Sequence, residues 1–288
     1  MTGPDETLRR RLRALLALPD SVPAAVGEGS TGALRLDGLP AAYLKPPGSG
    51  PFPAVLYCHA HGGEYDLGRR ELTEGARWLA APYAPDLVAA GFAVLCIDMP
   101  GFGDRRSEGS ESALAKAALW RGQPLFARML KDQLSAFGWL QQQPDIDPTR
   151  IVTLGMSMGA ALAMWVAAMV PGVAGCIQLC MLADIDPLIA SGTHARHGDY
   201  LTVPGFLNHA DTGDVAVLIA PRAQFIAHGA ADHLTPAPAR DPALERVRVA
   251  YARGNGLETF LSPQTGHLET PEMREAVLKF LNRFVSQT

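Results

Sequence analysis

Apolar residues follow two rhythms along this chain. Continuous apolar or β-branched runs at residues 53–58, 91–97, 151–154, 175–181, 222–227 and 257–261 predict buried strands, each bounded by Gly, Pro or Asp. Two shorter runs, 33–37 and 41–45, predict strands joined by Gly38-Leu39-Pro40, with a Pro/Gly loop at 46–51 after them. Between the runs the period lengthens to that of a helix. Leu8, Leu12, Leu15 and Leu16 predict an amphipathic helix over 6–18, with Arg9, Arg10, Arg11 and Arg13 on a solvated face. Residues 71–90 predict a helix interrupted near Pro82 and Pro85. Phe126, Leu130, Leu134 and Phe137 predict one over 124–143; further helices follow at 160–170, stopped by Pro171-Gly172, and at 243–253. Thr270 caps a last helix whose Met273, Val277, Phe280, Leu281 and Phe284 share a face.

Strands alternating with helices predict an α/β fold, a mostly parallel central sheet covered by helices on both faces. No internal repeat or low-complexity linker breaks the chain, so residues 1–288 are expected to form a single domain. The polar segment up to about residue 118 is expected to pass over the sheet edge. The long connection 182–220 is expected to act as a pocket wall or partial lid, with Met181, Leu188, Phe206 and Leu207 supplying apolar surface.

Composition narrows the class. The net charge of −4 gives no electrostatic reason to expect nucleic acid. No run approaches a membrane span, and the apolar stretch 14–18 is too short for a signal peptide, so a cytoplasmic protein with no membrane partner is expected. Cys58, Cys96, Cys176 and Cys180 sit in apolar runs and are expected to be free thiols that behave as small hydrophobes.

The chemistry centres on Gly155-Met156-Ser157-Met158-Gly159, which lies between a strand and a helix. With 11 serines and 29 glycines in 288 residues, a Gly-x-Ser-x-Gly pentapeptide arises by chance only about 0.1 times. Strand, Gly-x-Ser-x-Gly, helix is the nucleophile elbow, a turn tight enough to require glycine two residues either side of the serine. It exposes a hydroxyl and sets the Met158 N–H at a helix N-terminus. A serine hydroxyl needs a base, and the base an orienting acid. Two downstream strand ends supply them: Asp232 in His228-Gly229-Ala230-Ala231-Asp232, and His267 after the strand at 257–261. The expected roles are Ser157 as nucleophile, His267 as base and Asp232 as orienting acid. Backbone N–H groups of Met158 and His61 form the oxyanion hole, with Gly62 or Gly63 as alternatives to His61. Asp184 is a second candidate for the acid, and Asp186 a weaker one. Asp98 is expected to tie down its own loop, and His228 and His233 to be structural.

These residues resemble the α/β-hydrolase superfamily from about residue 33 to the C-terminus. The carriers are His59-Ala60-His61-Gly62-Gly63, Asp98-Met99-Pro100-Gly101-Phe102-Gly103, the elbow, Ala220-Pro221-Arg222 and His228-to-Asp232. Within the superfamily the chain is similar to the dienelactone hydrolase and acetyl xylan esterase-like branch. The resemblance implies an α/β-hydrolase fold and hydrolysis of a small-molecule ester through an acyl-enzyme, with no cofactor and no metal. Two positions depart from the pattern: Ala60 stands where glycine usually follows histidine, and Ser157 where dienelactone hydrolases carry cysteine. Other functions compete with this reading. His59 and His61, with His194, His197 and Asp199, could instead form a metal-dependent hydrolase site. The fold could also serve as a catalytically inactive binding module. Arg69, Arg70, Arg105 and Arg106, on loops beyond strand ends, would favour a carboxylate-bearing substrate if they faced the pocket.

Overall fold

A computed structural model describes residues 4–29 and 34–285; Ala33, the first residue of the first expected strand, lies outside them. The strands are β1 (Gly27–Glu28), β2 (Leu34–Leu36), β3 (Leu39–Leu44), β4 (Phe52–Cys58), β5 (Ala93–Ile97), β6 (Ile146–Met156), β7 (Gly175–Leu179), β8 (Ala223–Gly229) and β9 (Leu257–Ser262). The helices are α1 (Pro4–Leu15), α2 (Glu71–Glu74), α3 (Tyr83–Ala89), α4 (Glu111–Trp120) and α5 (Leu125–Gln141). They continue with α6 (Met158–Met169), α7 (Ile185–Ala190), α8 (Thr212–Val217), α9 (Ala237–Ala250) and α10 (Pro271–Val285).

The described strands form one sheet in the order β1-β2-β3-β5-β4-β6-β7-β8-β9. From β5 to β9 every pairing is parallel, and β1 to β3 form an antiparallel edge. From β4 the chain steps outward to β5, then returns to β6 on the other side. That reversal opens a crevice at the carboxyl ends of β4 and β6, where an open α/β sheet binds its ligands. Strand alternation divides the core. Ala54, Leu56 and Cys58 face one layer with Phe126, Phe137 and Trp165 of α5 and α6. Val55 and Tyr57 face the other, with Leu87 of α3 and Phe280 of α10. Helix α6 is buried along its whole length, which is why its sequence is apolar on every side.

Several elements differ from the sequence pattern for identifiable reasons. β3 begins at Leu39 and includes Pro40, because Asp37 and Gly38 alone make the turn, with φ of 48° and 80°. Positive φ at both residues is the geometry that Asp-Gly favours in a two-residue hairpin. Helix α9 starts at Ala237, earlier than the expected 243, because Pro236 and Pro238 occupy a helix start, where a missing N–H costs nothing. The segment after Asp98 is more regular than its polar, turn-rich sequence suggests. It folds into a 3-10 stretch and α4, and α4 lowers Glu111 into the crevice. Arg9 and Arg13 are not on a solvated face; they donate to the carbonyls of Ala168 and Met169, at the C-terminal end of α6. Thr270 Oγ1 accepts from the Met273 N–H at the start of α10, the cap expected there. All four cysteines are buried and unbridged.

Candidate active site

β6 ends at Met156 and α6 begins at Met158, so Ser157 alone turns the chain, with φ 55° and ψ −120°. That conformation is strained for an L-residue with a side chain. Neighbouring glycines permit it: a Cβ on Gly155 would lie 2.3 Å from the Gly159 carbonyl carbon, and one on Gly159 would lie 1.9 Å from the Cys58 carbonyl oxygen. The bare Gly159 lets the first turn of α6 press against the end of β4. This brings the Met158 amide beside the loop that carries His61. Among the described residues neither the Met158 nor the His61 backbone N–H donates within the protein.

Ser157 Oγ lies 2.9 Å from His267 Nε2, and His267 Nδ1 lies 2.7 Å from Asp232 Oδ2. A carboxylate only accepts, so Nδ1 carries the ring proton and Nε2 is free to accept from the serine hydroxyl. Asp232 also accepts from the Leu234 N–H and from the Thr235 hydroxyl, each at 2.8 Å. Burial alone would raise its pKa, but the His267 pairing and these hydrogen bonds outweigh it and hold the carboxyl below its ordinary value. Asp184 is not brought to His267: its Oδ1 accepts from the Gly213 N–H at 3.0 Å and from Arg246 at 2.5 Å. Asp186 lies beside it at the start of α7.

The loop after β4 is built around buried carboxylates. Glu71 accepts from the Tyr57 hydroxyl at 2.7 Å, the Ala60 N–H at 3.0 Å and Trp78 Nε1 at 2.9 Å. Ala60 fits between His59 and His61 because its amide is used inward and its methyl is buried. Glu111 pairs with the His61 ring, and accepts from the Tyr65 hydroxyl and the Tyr200 N–H at 3.0 Å each. Neither histidine is arranged as a metal ligand. His59 Nε2 accepts from the Met99 N–H at 3.1 Å while Nδ1 donates to the Ala60 carbonyl at 2.8 Å. Among the described residues no three His, Cys, Asp or Glu side chains converge as a metal site.

None of the four arginines that would favour a carboxylate-bearing substrate by facing the pocket lines the cavities at Ser157. Arg69 pairs with Asp98 and Asp104, Arg70 with Glu74, Arg105 with Glu108 and Asp132, and Arg106 with Asp66. Each lies among acidic residues and is neutralised beside its own loop. Asp98 holds that loop as expected, accepting from the Arg69 and Asp104 backbone N–H groups.

Two cavities meet at Ser157 and His267. One, of about 40 Å³, is the more enclosed and mostly apolar: Phe126, Ala161, Met164 and Trp165 line it from α5 and α6, with Met181, Leu188 and Phe206 from the wall anticipated in the sequence. Leu207 does not line it and is exposed. The other is an open groove of about 720 Å³, lined by His61, Tyr65, Glu111, Arg196, Asp199 and His233 among others. Sequence reasoning missed Glu111, Tyr200 and the pocket face of α6. Only the unusual Met/Trp content of that helix hinted at its role.

Comparison with known proteins sets this arrangement in context. Residues 53–251 match the family model described as the alpha/beta hydrolase fold. YtaP of Bacillus subtilis (strain 168), whose name describes it as a candidate hydrolase, is 36% identical across 97% of this chain and 99% of its own. Acetyl xylan esterase 1 from Thermoanaerobacterium sp. JW/SL YS485 superposes with a TM-score of 0.67 at 19% identity, covering 98% of this chain and 94% of that one. A glucuronoyl esterase from Solibacter usitatus gives 0.68 at 15% identity, covering 96% and 92%. At such identities the two structures show a shared fold.

Proposed function

Because the chain belongs to the α/β-hydrolase fold family, we propose that it is a serine hydrolase that cleaves a short-chain carboxylic ester through an acyl-enzyme. The observation that carries this reading is the continuous line from Ser157 Oγ to His267 at 2.9 Å and on to Asp232 at 2.7 Å. Ser157 Oγ bonds to the ester carbonyl carbon as its proton passes to His267 Nε2. Asp232, held ionised by its donors, stabilises the imidazolium. The carbonyl oxygen, now anionic, is met by the Met158 and His61 N–H groups; one such donor is typically worth about 2.7–4 kcal/mol in the transition state. The tetrahedral carbon expels the alcohol oxygen, which takes the proton from His267. Water then repeats the sequence: it gives a proton to His267, attacks the acyl carbon and releases the acid, and Ser157 recovers its proton.

The two cavities support an assignment of substrate halves. After the first step the alcohol must leave while the acyl group stays bound to Ser157. The open groove gives the alcohol a way out, and the enclosed apolar pocket retains the acyl chain. A volume of about 40 Å³ holds roughly three water-sized groups, at about 10–15 Å³ each. That suits an acyl group from acetyl to butyryl. Acetyl esters are also what one structural neighbour is named for.

The test is hydrolysis of p-nitrophenyl acetate by wild type and by Ser157→Ala, each with and without a strong chelator. The proposal expects chelator-insensitive wild-type activity that falls at least about 10³-fold in the variant. Activity lost to the chelator, or retained by Ser157→Ala, would overturn it. Inactivity toward every activated ester would point to a binding module instead.

A further inference from the structure

Asp232 is held by a side chain from outside the Ser157–His267–Asp232 line. Thr235 lies three residues further on, buried, in the turn between β8 and α9. The Leu234 N–H closes that turn on Asp232 Oδ1 at 2.8 Å, the side-chain turn that aspartate favours. Pro236 follows, and a residue before proline is confined to extended backbone, so the sequence restricts Thr235 from both sides. The Thr235 hydroxyl lies 2.8 Å from Asp232 Oδ2, the same oxygen that meets His267 Nδ1 at 2.7 Å.

A carboxylate only accepts, so the Thr235 proton goes to Asp232 and Oγ1 keeps only lone pairs. His228 Nδ1, 3.4 Å from Oγ1, meets them as an N–H. Burial, and then the Arg240 charge, push the pKa of this imidazole down to about 3, so the ring is neutral and carries one proton. His197 and Cys180 also feel the Asp232 charge, and burial keeps both uncharged at neutral pH: it lowers the pKa of the imidazole and raises that of the thiol to about 12. Among the described residues no cation other than His267 pairs with Asp232. The placement of the carboxylate therefore rests on two neutral donors, the Leu234 amide on Oδ1 and the Thr235 hydroxyl on Oδ2. Only the second acts on the oxygen that the base uses.

We infer that Thr235 is a positioning residue, whose hydroxyl fixes Asp232 Oδ2 at the point from which it orients His267. The inference rests on the serine-esterase reading and adds to it a group that acts through Asp232.

Thr235 also lines the enclosed pocket, so the test separates its hydroxyl from its packing. It measures kcat and KM for p-nitrophenyl acetate, per site titrated with diethyl p-nitrophenyl phosphate. Thr235→Val keeps the volume and loses the hydroxyl, whereas Thr235→Ser keeps the hydroxyl and loses a methyl. Both half-reactions pass a proton through His267, so both slow together when that ring is misplaced. In Thr235→Val kcat is expected to fall about 10- to 100-fold, with KM within about twofold of wild type. Thr235→Ser should keep kcat within about threefold of wild type. A packing role alone predicts the opposite order, with valine tolerated and serine impaired. Should Thr235→Val fail to fold, Thr235→Ala against Thr235→Ser makes the same comparison, since both lack the methyl and only serine carries the hydroxyl. Wild-type kcat in the variants without a hydroxyl, or an equal fall in Thr235→Ser, would overturn the inference while leaving the serine-esterase reading intact. Full activity in Ser157→Ala would instead overturn the esterase reading itself.

Discussion

Ser157 holds a backbone conformation that its neighbours enforce, and two residues show how. Gly159 is the contact between α6 and the end of β4. A Cβ there would come within 1.9 Å of the Cys58 carbonyl oxygen, a backbone atom that cannot swing away. Gly159→Ala is therefore expected to destabilise the protein by roughly 1–3 kcal/mol, as overpacking does, and to separate the Met158 amide from the His61 loop. The checks are a lowered Tm together with loss of p-nitrophenyl acetate hydrolysis; an active variant of unchanged Tm would contradict the packing account. Glu71 acts on the other side of the same loop. Burial raises its pKa to about 7 despite the Tyr57, Ala60 and Trp78 donors. Below about pH 4.5 both folded and unfolded chains hold this proton. Between there and about pH 7 the folded state keeps a proton that the unfolded state has lost, so stability falls as pH rises through that window. The shift corresponds to about 3 kcal/mol at 1.36 kcal/mol per pH unit. Glu71→Gln removes this dependence. Denaturant unfolding at pH 5 and pH 8 should show wild type losing about that much more stability than the variant over the interval. Equal pH dependence would refute the assignment.

At the scale of elements, the segment between β7 and β8 does the shaping. Its sequence reads as an extended connection, because Gly, Pro and Asp recur too often for any long periodic run. In the structure it is a series of short pieces, α7, three 3-10 turns and α8, laid over α5 and α6. Helix and turn pieces of three to six residues have no periodicity to read, which is why only their apolar residues were legible and not their arrangement. Met181, Leu188 and Phe206 were recognisable as wall residues by type, whereas Leu207 was not separable from Phe206 without the turn that turns it outward. On the proposed seating of the acyl group, this element also limits acyl length. Activity on p-nitrophenyl esters is expected to fall about 10-fold or more between butyrate and hexanoate. Leu201→Ala, which trims a half-buried lining side chain, should shift the limit to longer chains. A wild type indifferent to chain length would argue against seating the acyl group in this pocket.

Across the whole molecule, residues distant in sequence meet because a parallel sheet delivers the carboxyl ends of its strands to one edge. Ser157 follows β6, Asp232 follows β8 and His267 follows β9, so the three were legible as strand-end residues before any geometry was known. The same logic left open that Arg69, Arg70, Arg105 and Arg106 face the pocket, and the structure turns them to acidic partners instead. Loop position does not say whether a charge is neutralised, and acidic partners as far along the chain as Asp132 neutralise these arginines. Glu111 went unseen for the converse reason, since a single glutamate at a helix start carries no sequence signature of its burial under Tyr200. No helix among the described residues is long and apolar enough to cross a membrane. The proposed acyl-enzyme requires Ser157 Oγ to be the atom that is covalently modified, and this can be read by trapping. Wild type treated with diethyl p-nitrophenyl phosphate should gain one diethylphosphoryl group by intact mass, mapped by peptide sequencing to Ser157, as its esterase activity disappears. Ser157→Ala should gain none. A label on another residue, or full inactivation without a label on Ser157, would contradict the account.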